Sequence, residues 1–199
     1  EADYMYSGIE NKGDHYLFTL NTPGGTISNI HFPFPGKINI ENLTAAIAVA
    51  MNCGASESEI RKAAVLFQGV RRRFDIRINR PGFTYIDDYA HHPEEIRAFI
   101  GSVREYFGNR KITAIFQPHL FTRTRDHAEG FAKILDMLDE VIILPVYPAR
   151  ENPIPGVSSE MILQRMKLEK KRLLDMKDIP GELDSRELDV LLTIGAGDI

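Results

Sequence analysis

Cysteine is almost missing: Cys53 is the only one among 199 residues, so neither an internal disulfide nor a cysteine metal cage can form. No apolar run approaches the roughly 20 residues of a membrane-spanning helix. Basic excess is lacking too. With 24 Lys and Arg against 28 Asp and Glu, the net charge of −4 disfavours wholesale nucleic-acid binding, which needs a basic face. A local basic site stays open at Arg71-Arg72-Arg73 or at Arg123 and Arg125. The opening residues Glu1-Ala2-Asp3-Tyr4 lack the basic-then-apolar order of a signal peptide, and there is no internal repeat or low-complexity tract. A soluble, reducing, cytoplasmic setting with no membrane or nucleic-acid partner is the expectation. Apolar residues, in contrast, are plentiful at 43%, enough for a sizeable core. The length suits one large domain, or one medium domain plus a fragment.

Through about Pro35 the chain alternates polar and apolar residues between turn signals. Tyr16–Leu20 and Thr26–Ile30 read as strands around the turn Asn21-Thr22-Pro23-Gly24-Gly25, antiparallel hairpin material. The period then becomes helical. Leu43, Ala46, Ile47, Ala50 and Met51 share one face, and Ser56-x-x-Glu59 is a capping box for a second helix. That helix buries Ile60, Ala63, Ala64 and Phe67, with Gly69 as its end.

From Arg73 onward strands and helices alternate. Phe83–Asp87, Ile112–Phe116, Val141–Leu144 and Val190–Ile194 read as strands, and the continuous apolar runs among them suit burial on both faces. Pro93 fits a first helical position, followed by the stripe Ile96, Phe99, Ile100 and Val103. Phe131, Ile134, Leu135 and Leu138 mark a second helix, and Met161, Ile162, Arg165 and Met166 a third whose solvated end would be Lys167–Lys171. Such alternation predicts an α/β domain with a mostly parallel, doubly wound sheet and a boundary near Gly69–Arg73.

The polar residues fall where such a sheet binds ligands. Asp87-Asp88, Gln117-Pro118-His119, Tyr147-Pro148-Ala149-Arg150 and Gly195-Ala196-Gly197-Asp198 each follow a predicted strand, and parallel strand ends line one edge. Each segment also has a plainer reading. The aspartates could cap a helix, His91 and His92 could be turn residues, and His119 a satisfied buried histidine. Arg123 and Arg125 could pair with Asp126 and Glu129, or hold a carboxylate or phosphate by forked hydrogen bonds. Arg71-Arg72-Arg73 could be a salt-bridge cluster. A metal held by Asp87, Asp88, His91 and His119 lacks a helical His partner at the usual spacing, so no metal site is assigned.

Together, Arg72-Arg73-Phe74, Ile86-Asp87-Asp88-Tyr89-Ala90-His91-His92-Pro93, Phe116-Gln117-Pro118-His119 with Thr122-Arg123-Thr124-Arg125-Asp126, Pro153-Ile154-Pro155-Gly156 and Gly195-Ala196-Gly197-Asp198 resemble the C-terminal part of the Mur-type ATP-dependent ligases in order and spacing. Pro35–Ala46 resembles the end of that family's central ATPase domain, so the likeness covers roughly Phe32 to Ile199. It implies an α+β remnant of the central ATP-binding domain over 1–71 and a Rossmann-like C-terminal domain over 72–199.

The implied chemistry is the addition of L-alanine to UDP-N-acetylmuramic acid through an acyl phosphate made from ATP, with Mg²⁺ in the whole enzyme. By the same resemblance Asn39 and Asn42 are adenine-side contacts, Arg73 lies near the ATP phosphates, and Asp88, or else Asp87, meets the ribose. Tyr89, His91, His119, Arg123 and, less closely, Arg125 form the alanine side. Leu120 stands where members often carry arginine, and Ile38 where histidine is common. No Gly-x-x-Gly-Lys-Thr/Ser phosphate loop occurs in the sequence. The expectation is therefore a piece of a longer enzyme, inactive alone and holding no cofactor of its own. Three alternatives stay open: the related ligase that recycles whole peptides, a non-catalytic nucleotide- or amino-acid-binding module, and a metal hydrolase.

Overall fold

The structure, a computed structural model, describes every residue except Glu1, Asp14 and Ser185. The chain divides into two compact units, Glu1–Gly69 with Ser102–Tyr106, and Val70–Gly101 with Phe107–Ile199.

The first unit opens with an antiparallel sheet of β1 (Met5–Asn11), β2 (Tyr16–Thr22) and β3 (Gly25–Phe32) in that order. Strand β1 is mostly exposed and carries no clear two-residue period, which is why the hairpin alone is legible in the sequence. Helix α1 (Lys37–Asn52) buries Ile40, Thr44 and Ile47, with Leu43 and Met51 packed beside them. Ala46, expected on this face, is exposed: the stripe centres on Ile40, Thr44 and Ile47, and a methyl group is easily left at its edge. Helix α2 (Glu57–Leu66) has the expected capping box, with Ser56 Oγ accepting from the Glu59 N–H and Glu59 accepting from the Ser56 N–H. It buries Ile60 and Ala64 while Ala63 is exposed. Gly69 is not its terminator. The helix stops at Leu66, and Gly69 (φ +86°) instead lets the Phe34 ring approach to where a Cβ would lie 2.1 Å away.

The second unit is a six-stranded sheet in the order β4 (Asp75–Arg80), β5 (Phe83–Asp88), β9 (Val190–Ile194), β6 (Ile112–Phe116), β7 (Glu140–Ile143), β8 (Lys171–Leu173). Strand β4 pairs antiparallel with β5, and every other pairing is parallel. Strands β6, β7 and β9 are buried along their whole length. Helix α3 (Pro93–Phe107) starts at its proline and buries Ile96, Phe99, Ile100 and Val103. Helix α4 (Phe121–Leu135) buries Phe131, Ile134 and Leu135. This is the mixed α/β, mostly parallel arrangement the alternation predicts.

After β7 the chain departs from expectation. Helix α5 (Glu160–Leu163) is only four residues long, and Lys167–Lys171 is not a helix end. The Asp136 carboxylate accepts the amides of Lys167 and Leu168, which takes these donors out of any helix, and Lys171 opens edge strand β8. A 3₁₀ turn (Met176–Asp178) and α6 (Ile179–Asp184) lead back to β9. The sheet face under Ile179 is closed by Ile115, Ile142, Leu144 and Leu191.

Candidate functional site

The parallel strands end level with one another. Asp88 and Phe116 both face Ile194 in register, and Phe116 faces Ile143. Beyond these residues the loops continue the ladder. The Gly195 N–H donates to Asp88 O (3.1 Å), Gln117 N–H to Ile194 O (2.9 Å) and Leu144 N–H to Phe116 O (2.9 Å). His119 and Tyr147 form an isolated bridge, with Tyr147 N–H on Pro118 O (2.8 Å) and Leu120 N–H on Tyr147 O (2.9 Å). The four polar segments are thus tied along one sheet edge by main-chain bonds.

On that edge the structure gathers Tyr89, His91, His119 and Arg123, with Tyr147 added. The rings of Tyr89 and His91 meet edge to face at 5.3 Å, His91 and His119 lie 6.0 Å apart, and His119 stacks on Tyr147 at 5.7 Å. His91 Nδ1 is 3.0 Å from Tyr89 O. A carbonyl only accepts, so neutral His91 carries its proton on Nδ1 and presents Nε2 as a base. Arg123 reaches His119 Nδ1 at 3.3 Å and has no acidic partner among the described residues. Burial, the Arg123 cation and His91 hold the His119 pKa below the ordinary histidine value, so its ring is neutral at pH 7.

Two features fix this group. Leu120 precedes α4 with φ +71°, a strained conformation for a leucine, and its carbonyl accepts both the N–H and the hydroxyl of Thr124. Glu151 accepts the Thr122 N–H (3.0 Å) and hydroxyl (2.5 Å), tying the start of α4 to the loop after β7.

The acidic pair is built differently. Asp88 is 8% exposed, and each oxygen accepts a backbone amide, Oδ2 from Phe74 (2.7 Å) and Oδ1 from Ala90 (2.8 Å). Burial raises its pKa to about 6 against those two bonds and the Arg73 charge. Asp87 accepts from Thr193 Oγ1 (2.8 Å) and Arg72 Nε (3.2 Å). Arg73 is exposed with no ion-pair partner among the described residues. It lies between two residues in the left-handed region, Arg72 (φ +58°) and Phe74 (φ +48°).

Arg125 is not gathered in. It is exposed and paired with its neighbour Asp126 (2.7 Å). Asn39 and Asn42 belong to the first unit, on the opening turns of α1, where the Asn39 amide donates to Pro35 O (2.6 Å) and Asn42 is exposed. Among the described residues, no group of three His, Cys, Asp or Glu could hold a metal ion. Sequence reading placed Tyr147 in one of the four edge segments without giving it a role, and it missed Glu151 and above all Arg72 as parts of this edge. Arg72 was visible only as one of three consecutive arginines, a pattern that does not say which of them turns inward.

The fold and edge define a ligase-type Rossmann-like domain. Residues 72–197 match the family described as Mur ligase, glutamate ligase domain, and the chain belongs to the Mur ligase family. UDP-N-acetylmuramate–L-alanine ligase of Flavobacterium psychrophilum is 42% identical over 199 residues, covering 100% of this chain and 44% of that protein. The protein of the same description from Porphyromonas gingivalis is 43% identical over 200 residues, with the same coverage of 100% and 44%. The crystal structure of the UDP-N-acetylmuramate–alanine ligase of Thermotoga maritima aligns with a TM-score of 0.82 at 28% identity, covering 100% of this chain and 43% of that one. The chain therefore spans about 44% of the length of the curated relatives it matches.

Proposed function

We propose that this chain serves a ligase that joins L-alanine to UDP-N-acetylmuramic acid in peptidoglycan precursor synthesis, in the cytoplasm. Residues 72–199 would form the closing, amino-acid side of its site, and residues 1–71 the end of its ATP-binding domain. The observation that carries this reading is Arg123, a half-buried cation with no acidic partner among the described residues, set beside the rings of His119 and His91. A guanidinium without a carboxylate of its own is suited to that of an amino acid. Nearby imidazole nitrogens suit the proton that the substrate ammonium must lose.

The chemistry follows from the need for a leaving group. The sugar's lactyl carboxylate attacks the γ-phosphorus of ATP, the bond to ADP breaks, and an acyl phosphate forms. The deprotonated amine of L-alanine then attacks the acyl carbon, the carbon–oxygen bond to phosphate breaks, and an amide remains. The protein orients the partners and meets developing charge. Arg73, exposed and without an ion-pair partner among the described residues, is suited to the ATP phosphates. Asn39 and Asn42, three residues apart on α1, are assigned to the adenine side. Asp88 is assigned to the ribose and also braces the turn bearing Tyr89 and His91, since both its oxygens hold backbone amides. Mg²⁺ is assigned to the complete enzyme, since among the described residues no group of three His, Cys, Asp or Glu could hold a metal ion.

The test is phosphate release by the complete ligase polypeptide with ATP and UDP-N-acetylmuramic acid. Release that requires L-alanine supports the reading. Release that instead requires a preformed peptide assigns the chain to peptide recycling, and no release with either overturns it.

A further inference from the structure

We propose that Arg72 is the positioning residue of this edge: it holds the Gly195–Asp198 turn and Tyr89 in the geometry that receives the amino acid. What Arg72 holds is read from geometry. That the edge receives an amino acid rests on the function proposed above.

The Arg72 guanidinium, 23% exposed, donates from Nε to Asp87 Oδ2 (3.2 Å), from Nη1 to Gly197 O (3.0 Å) and from Nη2 to Gly195 O (2.6 Å). Its carbon lies 5.1 Å from the centre of the Tyr89 ring. All of its side-chain donors that bond reach chain segments at the sheet edge, and none reaches the core. Its backbone is fixed as firmly. The Tyr89 N–H donates to Arg72 O (2.8 Å), and the Arg72 N–H to Asp75 Oδ2 (3.1 Å), holding it at φ +58°. A non-glycine residue persists there only where its surroundings over-determine it.

The turn it grips has its other side against Gln117. Gln117 Nε2 donates to Asp198 Oδ1 (3.1 Å), while Oε1 is buried without a partner among the described residues, where a Cβ on Gly197 would lie 2.1 Å away. A Cβ on Gly195 would stand 2.7 Å from Gln117 O. The turn is therefore clasped between two side chains with no room for one of its own. A planar fork of donors reaches three acceptors at once, and a lysine ammonium at the same place would lose that reach while keeping the charge.

The test compares Arg72→Lys with the parent in the complete ligase polypeptide, by residue-resolved amide exchange and by steady-state kinetics. The expected result is exchange about 10-fold or more faster at the Gly195 and Tyr89 amides, with β6 and β7 unchanged. The KM for L-alanine rises about 10-fold while kcat and the KM for ATP stay within about 3-fold. Unchanged exchange at the turn overturns the proposal. So does uniformly faster exchange across the second unit, which would mark a merely structural role, and so does faster local exchange with an unaltered KM for L-alanine. If the parent shows no alanine-dependent release, the proposed function falls, and the exchange comparison alone decides whether Arg72 holds the turn.

Discussion

The two ends of the parallel sheet use the same residue types to opposite purpose. At the edge where the strands begin, charges are matched. Glu140, 3% exposed, accepts from Lys111 (3.0 Å), Arg172 (2.9 Å) and Arg186. Arg110 pairs with Asp189 at 2.5 Å, and Asp139 accepts the Ile112 N–H (2.8 Å). At the edge where the strands end, Arg73 and Arg123 lack acidic partners among the described residues. Four residues with positive φ that are not glycine, Arg72, Phe74, Leu120 and Ala149, also lie in its loops. Burying a charge is costly unless it is paired, so matched charges hold a fold together. Unmatched, accessible cations and strained loops stabilise nothing by themselves, and their natural complement is a ligand.

The largest test of this contrast is Arg123→Ala in the complete ligase. We expect kcat/KM for L-alanine to fall about 10²–10³-fold, a loss of ~3–4 kcal/mol in transition-state binding. Its Tm should stay unchanged, because only His119 loses a neighbour. Equal losses of activity and Tm would erase the distinction between the edges.

Glu140→Ala should do the reverse. It leaves three cations without their carboxylate and should cost about 2–3 kcal/mol in denaturant unfolding, the usual buried-pair loss reduced because the cations are partly exposed. The KM for L-alanine should not move. Asp88→Asn places an amide donor against the backbone N–H of Phe74 or Ala90, and should cost about 1–2 kcal/mol with a KM effect confined to the site.

The edges should also answer pH in opposite senses. The Asp88 pKa, raised by burial from 3.8 to about 6, means the folded state holds a proton that the unfolded chain has released. Its contribution to stability is complete below the unfolded value and is lost as pH rises through about 6. Burial opposes the charge on Glu140, but hydrogen bonds from Arg186 and Lys111 outweigh it and lower its pKa below 4.5. Its contribution is present above that value and is lost as pH falls. Unfolding curves of Asp88→Asn and Glu140→Gln, measured from acid to neutral pH, should lose these two slopes separately. The smallest effect is that of Arg125→Ala: no measurable change in Tm, since its pair with Asp126 is on the open surface.

Much of this was legible along the chain because it follows from local rules. The capping box at Ser56, the proline opening α3 and the continuous apolar strands β6, β7 and β9 each express a period or a cap that few residues set. Strand β4 and the stretch Lys167–Lys171 were not legible. The first is an edge strand with weak alternation, and the second was decided by Asp136, some thirty positions away.

The sequence by itself determined the class of fold, the alternation of its buried strands with helices, and which polar segments follow strand ends, because hydrophobic period and turn chemistry are local. It also offered three consecutive arginines and two spaced ones without distinguishing among them. Tertiary structure made that choice. Arg72 turns in to grip the carbonyls of Gly195 and Gly197, Arg73 stays exposed, Arg123 faces His119, and Arg125 closes on Asp126. The physical reason is that a guanidinium's role depends on which acceptors lie within reach: Arg125 finds Asp126 next to it, whereas the carbonyls that hold Arg72 come from a segment more than 100 residues away.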